Sequence, residues 1–415
     1  MSFVKDVFLP KYYNKLGIRK DTFLEIFTQL EKKSKKTYCI VETGVSKDDP
    51  SSIYLFDKFI NFYDGKVFLF DINKVKLDVS NKTSIIFMDS IKGINSLVEH
   101  EIYEVDLFYL DSLETELDND VESSERALNE FKSGIFYFKN STLIFIDDTP
   151  KDMNNLPDLI REDSNIDMNS LKFPCGKGRS ILDFIADKNE FEVIVHNYQV
   201  VLKYNVCEMV PKIFHRTWKT KTIDLSVFKP ICVESWKKYN SDYTFILHDD
   251  VDNRNFIMNF YPWFLDTYDS YEKNIMRVDA VRYFYLLYYG GIYVDLDFEC
   301  IKPLDPYIIK EVHLITNLKD WVSNAFMISA PQQIIFKKLI QNGVLKNKTN
   351  NNVLYATGPG MLSNYLLREH KEYLSKVALK PELFYPIKYN ENFKAKYKEL
   401  TDDVVCVHHF AASWV

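Results

Sequence analysis

The sequence predicts an α/β protein built from two domains. At 415 residues the chain exceeds the ~100–200 residues usual for one domain. Short β-branched and aromatic runs alternate with helix-length segments in both halves, and several runs close on an acidic residue. That alternation reads as βαβ units, and continuous apolar runs read as parallel strands buried on both faces. The expected division is 1–207 and 208–415, with the boundary near Val206–Val210.

In the first half, strands are expected at Tyr38–Glu42, Lys66–Asp71, Ser84–Asp89, Val105–Asp111 and Thr142–Asp147. Their C-terminal ends would line the ligand crevice of an open sheet. The polar stretch Pro150–Gly178 reads as an excursion, with Gly176-Lys177-Gly178 as a turn, followed by a helix near Ser180–Lys188. Glu192–Asn205 reads as an antiparallel hairpin around His196-Asn197-Tyr198. The second half opens with strands at Lys212–His215 and Tyr243–Leu247, the latter leading into His248-Asp249-Asp250. The aromatic stretch Phe260–Tyr271 reads as core. A helix is expected from about Glu272 to Tyr289, stopped by Gly290-Gly291, and a strand Ile292–Asp295 follows at once. Further strands are expected at Val312–Thr316 and Asn324–Ile328, and a helix at Gln332–Asn342.

Hydrophobic residues make up 46% and aromatics 15%, ample for packed cores, while a net charge of −7 argues against a phosphate-backbone binder. Nucleic acid is therefore not an expected partner. The run Glu31-Lys32-Lys33-Ser34-Lys35-Lys36 reads as a solvated loop or helix end. Six scattered cysteines without a C-x-x-C pair fit reduced thiols in a cytosol-like compartment. No apolar run approaches a membrane span, so a soluble, unprocessed, cytoplasmic protein is expected. The sequons at Asn81, Asn140 and Asn347 then read as chance.

The chemistry concentrates in Gly290-Gly291-Ile292-Tyr293-Val294-Asp295-Leu296-Asp297, where a glycine stop and an apolar strand lead to two carboxylates. Period-two alternation would put Asp295 and Asp297 on one face. Hard oxygen ligands at that spacing suit Mg²⁺ or Mn²⁺ held partly through substrate phosphates. Similar triplets at Asp118–Asp120 and Asp250–Asp252 lack that context and read as solvated loops. In the preceding helix, Asp279 and Arg282 share a face beside Ile275, Val278, Val281 and Phe284. Alone, the pair reads equally as a surface ion pair.

These residues carry a resemblance. Pro211-Lys212-Ile213-Phe214-His215-Arg216-Thr217-Trp218, Arg277-Val278-Asp279 with Arg282-Tyr283, and the Asp295/Asp297 segment resemble the glycosyltransferase family with the DXD-containing sugar-binding region. That family includes initiating α-1,6-mannosyltransferases and capsular polysaccharide enzymes. Asn324-Ala325-Phe326, Thr357-Gly358-Pro359 and the terminal His408-His409-Phe410-Ala411-Ala412-Ser413-Trp414 extend the likeness over about 208–415. The resemblance implies a GT-A fold and retaining transfer from a UDP- or GDP-sugar to a glycan or other acceptor. It implies that His215, Trp218, Asn324, Gly358, Ser413 and Trp414 bind the nucleotide-sugar, with Trp218 near the base. Asp279 and Arg282 would hold donor sugar and phosphate groups. Asp295 and Asp297, with His408 or His409, would hold the metal. No side-chain nucleophile is implied.

The first half resembles the class I S-adenosylmethionine-dependent methyltransferases over about 35–205. Glu42 and Gly44 would form the first strand's end and glycine turn, Asp71 would take the cofactor ribose and Asp89 would sit by the adenine. Asp111, Asp147 and Asp148 are similar to the three oxygen ligands of metal-dependent O-methyltransferases, which implies a sugar O-methyltransferase fused to a sugar transferase. The turn departs from the family pattern after Gly44, continuing Val45-Ser46-Lys47-Asp48-Asp49-Pro50 without further glycines. A non-catalytic Rossmann-like scaffold therefore stays open, as do a glycan- or nucleotide-sugar-binding protein without turnover and a transferase acting on a protein acceptor.

Overall fold

The computed structural model describes residues 1–45, 51–117, 119–163, 168, 171–308, 311–318, 321–389 and 391–411. The chain forms two compact units, Met1–Val206 and Cys207–Val415.

In the first unit, strands β1 (Tyr38–Thr43), β2 (Gly65–Asp71), β3 (Thr83–Phe87), β4 (Leu107–Leu110), β5 (Thr142–Ile146), β6 (Phe191–His196) and β7 (Val200–Tyr204) make one sheet. Its order is β3-β2-β1-β4-β5-β7-β6. The first five strands pair in parallel, and β7 runs antiparallel between β5 and β6. This is the order of a doubly wound sheet, with the switch point between β1 and β4, where open α/β sheets bind ligands. The central strands are buried along nearly their whole length, as their unbroken apolar runs require. Helices α1 (Lys20–Lys32), α2 (Ser51–Tyr63), α3 (Ser90–Ser96), α4 (Val121–Gly134) and α5 (Arg179–Ile185) belong to this unit. Phe3, Phe8, Phe23, Phe27, Phe56 and Phe59 join Tyr109 and Phe145 in its core. The lysine run does form a helix end, but Lys33 and Lys35 reach Asp106 at 4.0 and 2.6 Å and are anchored there.

In the second unit, β8 (Ile213–Thr217), β9 (Thr244–His248), β10 (Gly291–Val294), β11 (Phe298–Cys300), β12 (Val312–Leu318), β13 (Trp321–Ser329), β14 (Ala378–Leu379) and β15 (Cys406–His408) form two sheets. The larger has the order β14-β12-β13-β10-β8-β9, and β11 pairs with β15 in a separate ribbon. Helices α6 (Pro230–Tyr239), α7 (Asp250–Phe260), α8 (Asn274–Tyr288) and α9 (Pro359–Glu369) accompany them. Helix α8 is buried without a break from Asp279 to Tyr288, so its Asp279 and Arg282 are core residues and not the exposed pair the sequence also allowed. Gly290 and Gly291 take φ of +66° and +90°, and a Cβ on Gly291 would lie 2.6 Å from the Ile213 carbonyl oxygen. Only glycine satisfies both the turn and that approach. Asp250 and Asp252 sit in the first turn of α7, where Asp252 closes a capping box with Asp249, and not in a solvated loop. Among the described residues no helix is long and apolar enough to cross a membrane. All six cysteines are free thiols.

Candidate active site

Strand β10 stops at Val294, and the two carboxylates follow in the turn that connects it to β11. The Asp295 N–H donates to the Ala325 carbonyl at 2.9 Å and the Phe298 N–H donates to Asp295 at 3.2 Å. Turn geometry, rather than strand alternation, therefore sets the two aspartates. Tyr293, two residues before Asp295, donates its hydroxyl to Asp295 Oδ1 at 3.0 Å and contacts Thr217 Oγ1 at 2.8 Å. The sequence reading missed Tyr293, although its i, i+2 spacing to Asp295 was the available signal.

Asp279, Arg282 and Asn324 come together behind this turn. Arg282 contacts Asp279 at 2.8 Å and Asp295 at 3.4 Å, donates to the Asn324 carbonyl at 2.9 Å and lies 4.4 Å over the Tyr293 ring. Asn324 Nδ2 donates to Asp279 Oδ1 at 3.0 Å. A Cβ on Gly358 would sit 3.1 Å from Asp279 Oδ2, which places this glycine against the same carboxylate. Burial pushes Asp279 up to about 6 despite Arg282 beside it. Burial alone would lower the Arg282 pKa, but Asp295, Tyr293 and Asp279 raise it, so the guanidinium stays charged. Asp295 is likewise raised by burial and opposed by Arg282. Asp297 is lowered, because His408 and the Ala411 N–H outweigh its burial.

The terminal histidines separate. His408 Nε2 lies 3.1 Å from Asp297 Oδ2, its Nδ1 meets the Tyr385 hydroxyl at 2.7 Å, and its ring stacks on Phe298 at 4.4 Å. His409 points elsewhere: Nε2 reaches Glu299 at 2.8 Å, and Nδ1 accepts from Lys229 at 2.8 Å. The expectation of His409 as a metal ligand is thus corrected, since its Nε2 faces Glu299 and not Asp297, whereas His408 is the one of the pair that faces Asp297. Ser413 and Trp414 lie outside the described residues. His215 is also corrected: it is fully buried, its Nε2 faces the Gly290 carbonyl at 3.0 Å and its Nδ1 meets His248 at 3.1 Å. It supports the sheet and has no nitrogen left for a nucleotide. Trp218 is half-buried just beyond β8, edge-on to Phe228 at 4.8 Å.

Among the described residues no group of three or more His, Cys, Asp or Glu side chains is arranged to hold a metal ion. Asp295 and Asp297 offer carboxylate oxygens of the kind that suit Mn²⁺ or Mg²⁺, and the Asp295 side chain is 31% exposed. Two carboxylates of this kind suit an ion that takes its other ligands from outside the protein.

In the first unit, Glu42 is fully buried, accepts from Ser52, has an Oε2 without a partner among the described residues, and is held well above the usual range by burial. Gly44 has φ +75°, and a Cβ there would meet the Asp111 carbonyl oxygen at 2.2 Å. Asp71 accepts from the Val45 and Asn73 N–H groups at 2.8 and 2.6 Å. Asp89 caps α3 and pairs with Arg126 at 2.7 Å. Asp111, Asp147 and Asp148 do converge, but Lys177 lies against Asp111 and Asp148, and Arg19 lies 3.6 Å from Asp147. The expected three-carboxylate metal site is corrected on that ground. Gly176-Lys177-Gly178 is no ordinary turn either, because it delivers this lysine.

Residues 230–314 match the family model described as the glycosyltransferase sugar-binding region containing the DXD motif. A mannosyl phosphorylinositol ceramide synthase of Saccharomyces cerevisiae is 39% identical over 169 residues, covering 38% of this chain and 42% of that protein. An inositol phosphoceramide mannosyltransferase of Schizosaccharomyces pombe is 35% identical over 189 residues, covering 43% of this chain and 50% of that protein. The chain thus spans about half the length of these curated relatives or less. Among solved structures, the MycE methyltransferase aligns at 12% identity and a TM-score of 0.32 over 45% of this chain and 49% of its own, a likeness too low to carry an argument.

Proposed function

We propose that the second unit is a metal-dependent GT-A glycosyltransferase that moves mannose, with retention, from a nucleoside-diphosphate donor to a hydroxyl of a polyol or sugar. The observation that carries this reading is the buried cluster of Asp279, Arg282 and Asn324 behind the Asp295–Asp297 turn. The match over residues 230–314 and the mannosyl-transferring relatives support it.

A divalent ion, when bound, would neutralise charge developing on the departing diphosphate, an effect worth several kcal/mol. Asp295, Asp297 and His408 would hold it. Arg282 keeps a fixed positive charge facing the same turn, and Asp279 and Asn324 prevent it from swinging away. Fixed charge of this kind costs no reorganisation during reaction. Trp218 offers a ring to the nucleotide base. The first acceptor class to test is the inositol phosphoceramide headgroup, for which both relatives are named.

The deciding experiment combines thermal shift and donor hydrolysis with GDP-mannose and a panel of UDP- and GDP-sugars, with and without Mn²⁺. A native-state ligand raises the melting temperature. Mn²⁺-dependent hydrolysis of a mannosyl donor is expected, followed by radiolabel transfer to inositol phosphoceramide. Folded protein silent toward every donor would overturn the reading and leave a binding or scaffold role. Labelling of a protein or glycan instead of the lipid would keep the enzyme and change its acceptor. For the first unit, the doubly wound order and Glu42's unpartnered oxygen favour a small-molecule crevice, and S-adenosylmethionine is its separate thermal-shift arm.

A further inference from the structure

The strand-end carboxylates of the first unit are filled from within the protein. Asp147 Oδ1 accepts from the Asp148 N–H at 2.9 Å and Gln199 Nε2 at 2.7 Å, while its Oδ2 accepts from the Tyr109 hydroxyl at 2.5 Å. Asp148 Oδ1 accepts from the Tyr198 hydroxyl at 2.6 Å, and its Oδ2 accepts from Lys177 Nζ at 3.0 Å. Asp111 Oδ1 also accepts from Lys177 Nζ. Five of the six oxygens therefore have close donors inside the protein, and the sixth, Asp111 Oδ2, lies 3.5 Å from the Tyr109 hydroxyl.

The backbone is built to deliver that ammonium. The Gly176 N–H donates to Asp120 Oδ2 at 2.6 Å, and the Gly178 N–H donates to Thr149 Oγ1 at 2.8 Å. The Lys177 N–H donates to the Asp148 carbonyl at 3.1 Å. Gly176 has φ +84°, and a Cβ there would lie 1.8 Å from the Asp148 carbonyl oxygen. A glycine is required for the segment to lie this close, and Lys177 is 3% exposed as a result. An ammonium donates three hydrogens and accepts none, so it can answer two carboxylates at once, as a divalent ion otherwise would.

We propose that Lys177 is a resident cation occupying the position of a divalent metal between Asp111 and Asp148, so that the first unit's crevice is a metal-independent site. Small-molecule chemistry there runs without Mn²⁺ or Mg²⁺. The inference rests on first-unit contacts alone and survives or fails independently of the glycosyltransferase reading.

The test counts Mn²⁺ bound to the full chain by electron paramagnetic resonance, in wild type, Asp111→Asn, Asp148→Asn and Lys177→Met. Bound Mn²⁺ is expected to be the same in wild type and both carboxamide variants. Folded Lys177→Met, with two carboxylates released, is expected to gain one Mn²⁺ per chain and to melt higher when Mn²⁺ is added. A wild-type Mn²⁺ lost in Asp111→Asn or Asp148→Asn would overturn the proposal, as would folded Lys177→Met that gains none. If Lys177→Met does not fold, the comparison of wild type with the carboxamide variants decides alone.

Discussion

At the scale of single residues, the second unit's site divides into groups exposed to a ligand and groups that hold them. Asp297 faces His408, and exchanging its carboxylate for a carboxamide removes a charge while keeping the shape. Asp297→Asn is expected to lower Mn²⁺-dependent donor turnover by about 100- to 1,000-fold, the scale of losing one preorganised electrostatic contact. Unchanged turnover in the folded variant would remove Asp297 from the site. Asp279 has a different part, since it is 5% exposed and shares Arg282 with Asp295 and Asn324. Breaking a buried charged pair by removing one partner costs about 3–5 kcal/mol. Asp279→Ala is therefore expected to destabilise the protein by that amount in urea unfolding, and Asp279→Asn by much less. Equal stabilities would mean that Arg282 is held by its other partners alone.

At the scale of elements, what was legible in the sequence depended on whether the signal was local. Gly290-Gly291 announced the stop of α8, and both residues take positive φ. The central strands of the first sheet, β1, β4 and β5, were readable from apolar runs, because burial on both faces leaves no polar alternation to confuse them. The role of Gly176-Lys177-Gly178 was not readable, because the carboxylates it serves lie 29 and 66 residues away. The direction of His409 was equally hidden, since Glu299 is 110 residues distant and only the β11–β15 ribbon brings them together. Backbone demands yield a graded prediction. Gly17 has φ +53° with open space where a Cβ would go, so Gly17→Ala is expected to cost about 1 kcal/mol. Gly291→Ala adds the clash with Ile213, for a total of about 3 kcal/mol. Chemical denaturation of both variants checks the ordering, and equal losses would show that the Ile213 approach relaxes freely.

At the scale of the whole molecule, proton linkage joins local burial to global stability. His215 and His248 face each other between β8, β9 and α8, stacking with Tyr285 at 5.6 and 4.0 Å. Burial pushes His215 down to about 3 and His248 down to about 4. Each stays neutral in the fold near pH 5, while the unfolded chain takes up a proton below its ordinary pKa of about 6.5. The unfolded state then binds more protons, so stability falls as pH falls from about 6.5 toward 4, by about 1.4 kcal/mol per pH unit for each histidine. Asp279 and Glu42 act with the opposite sign, because burial raises them and the folded state holds their protons at higher pH. The wild-type curve therefore mixes opposing contributions, and a difference experiment is needed to isolate one. Gln in place of His248 keeps an N–H donor within reach of His215 Nδ1 but cannot titrate. The stability advantage of wild type over His248→Gln is expected to shrink by about 2 kcal/mol between pH 7 and pH 5. Urea unfolding at both pH values measures it, and an advantage that does not change with pH would mean that His248 reaches water and takes its proton without opening the fold.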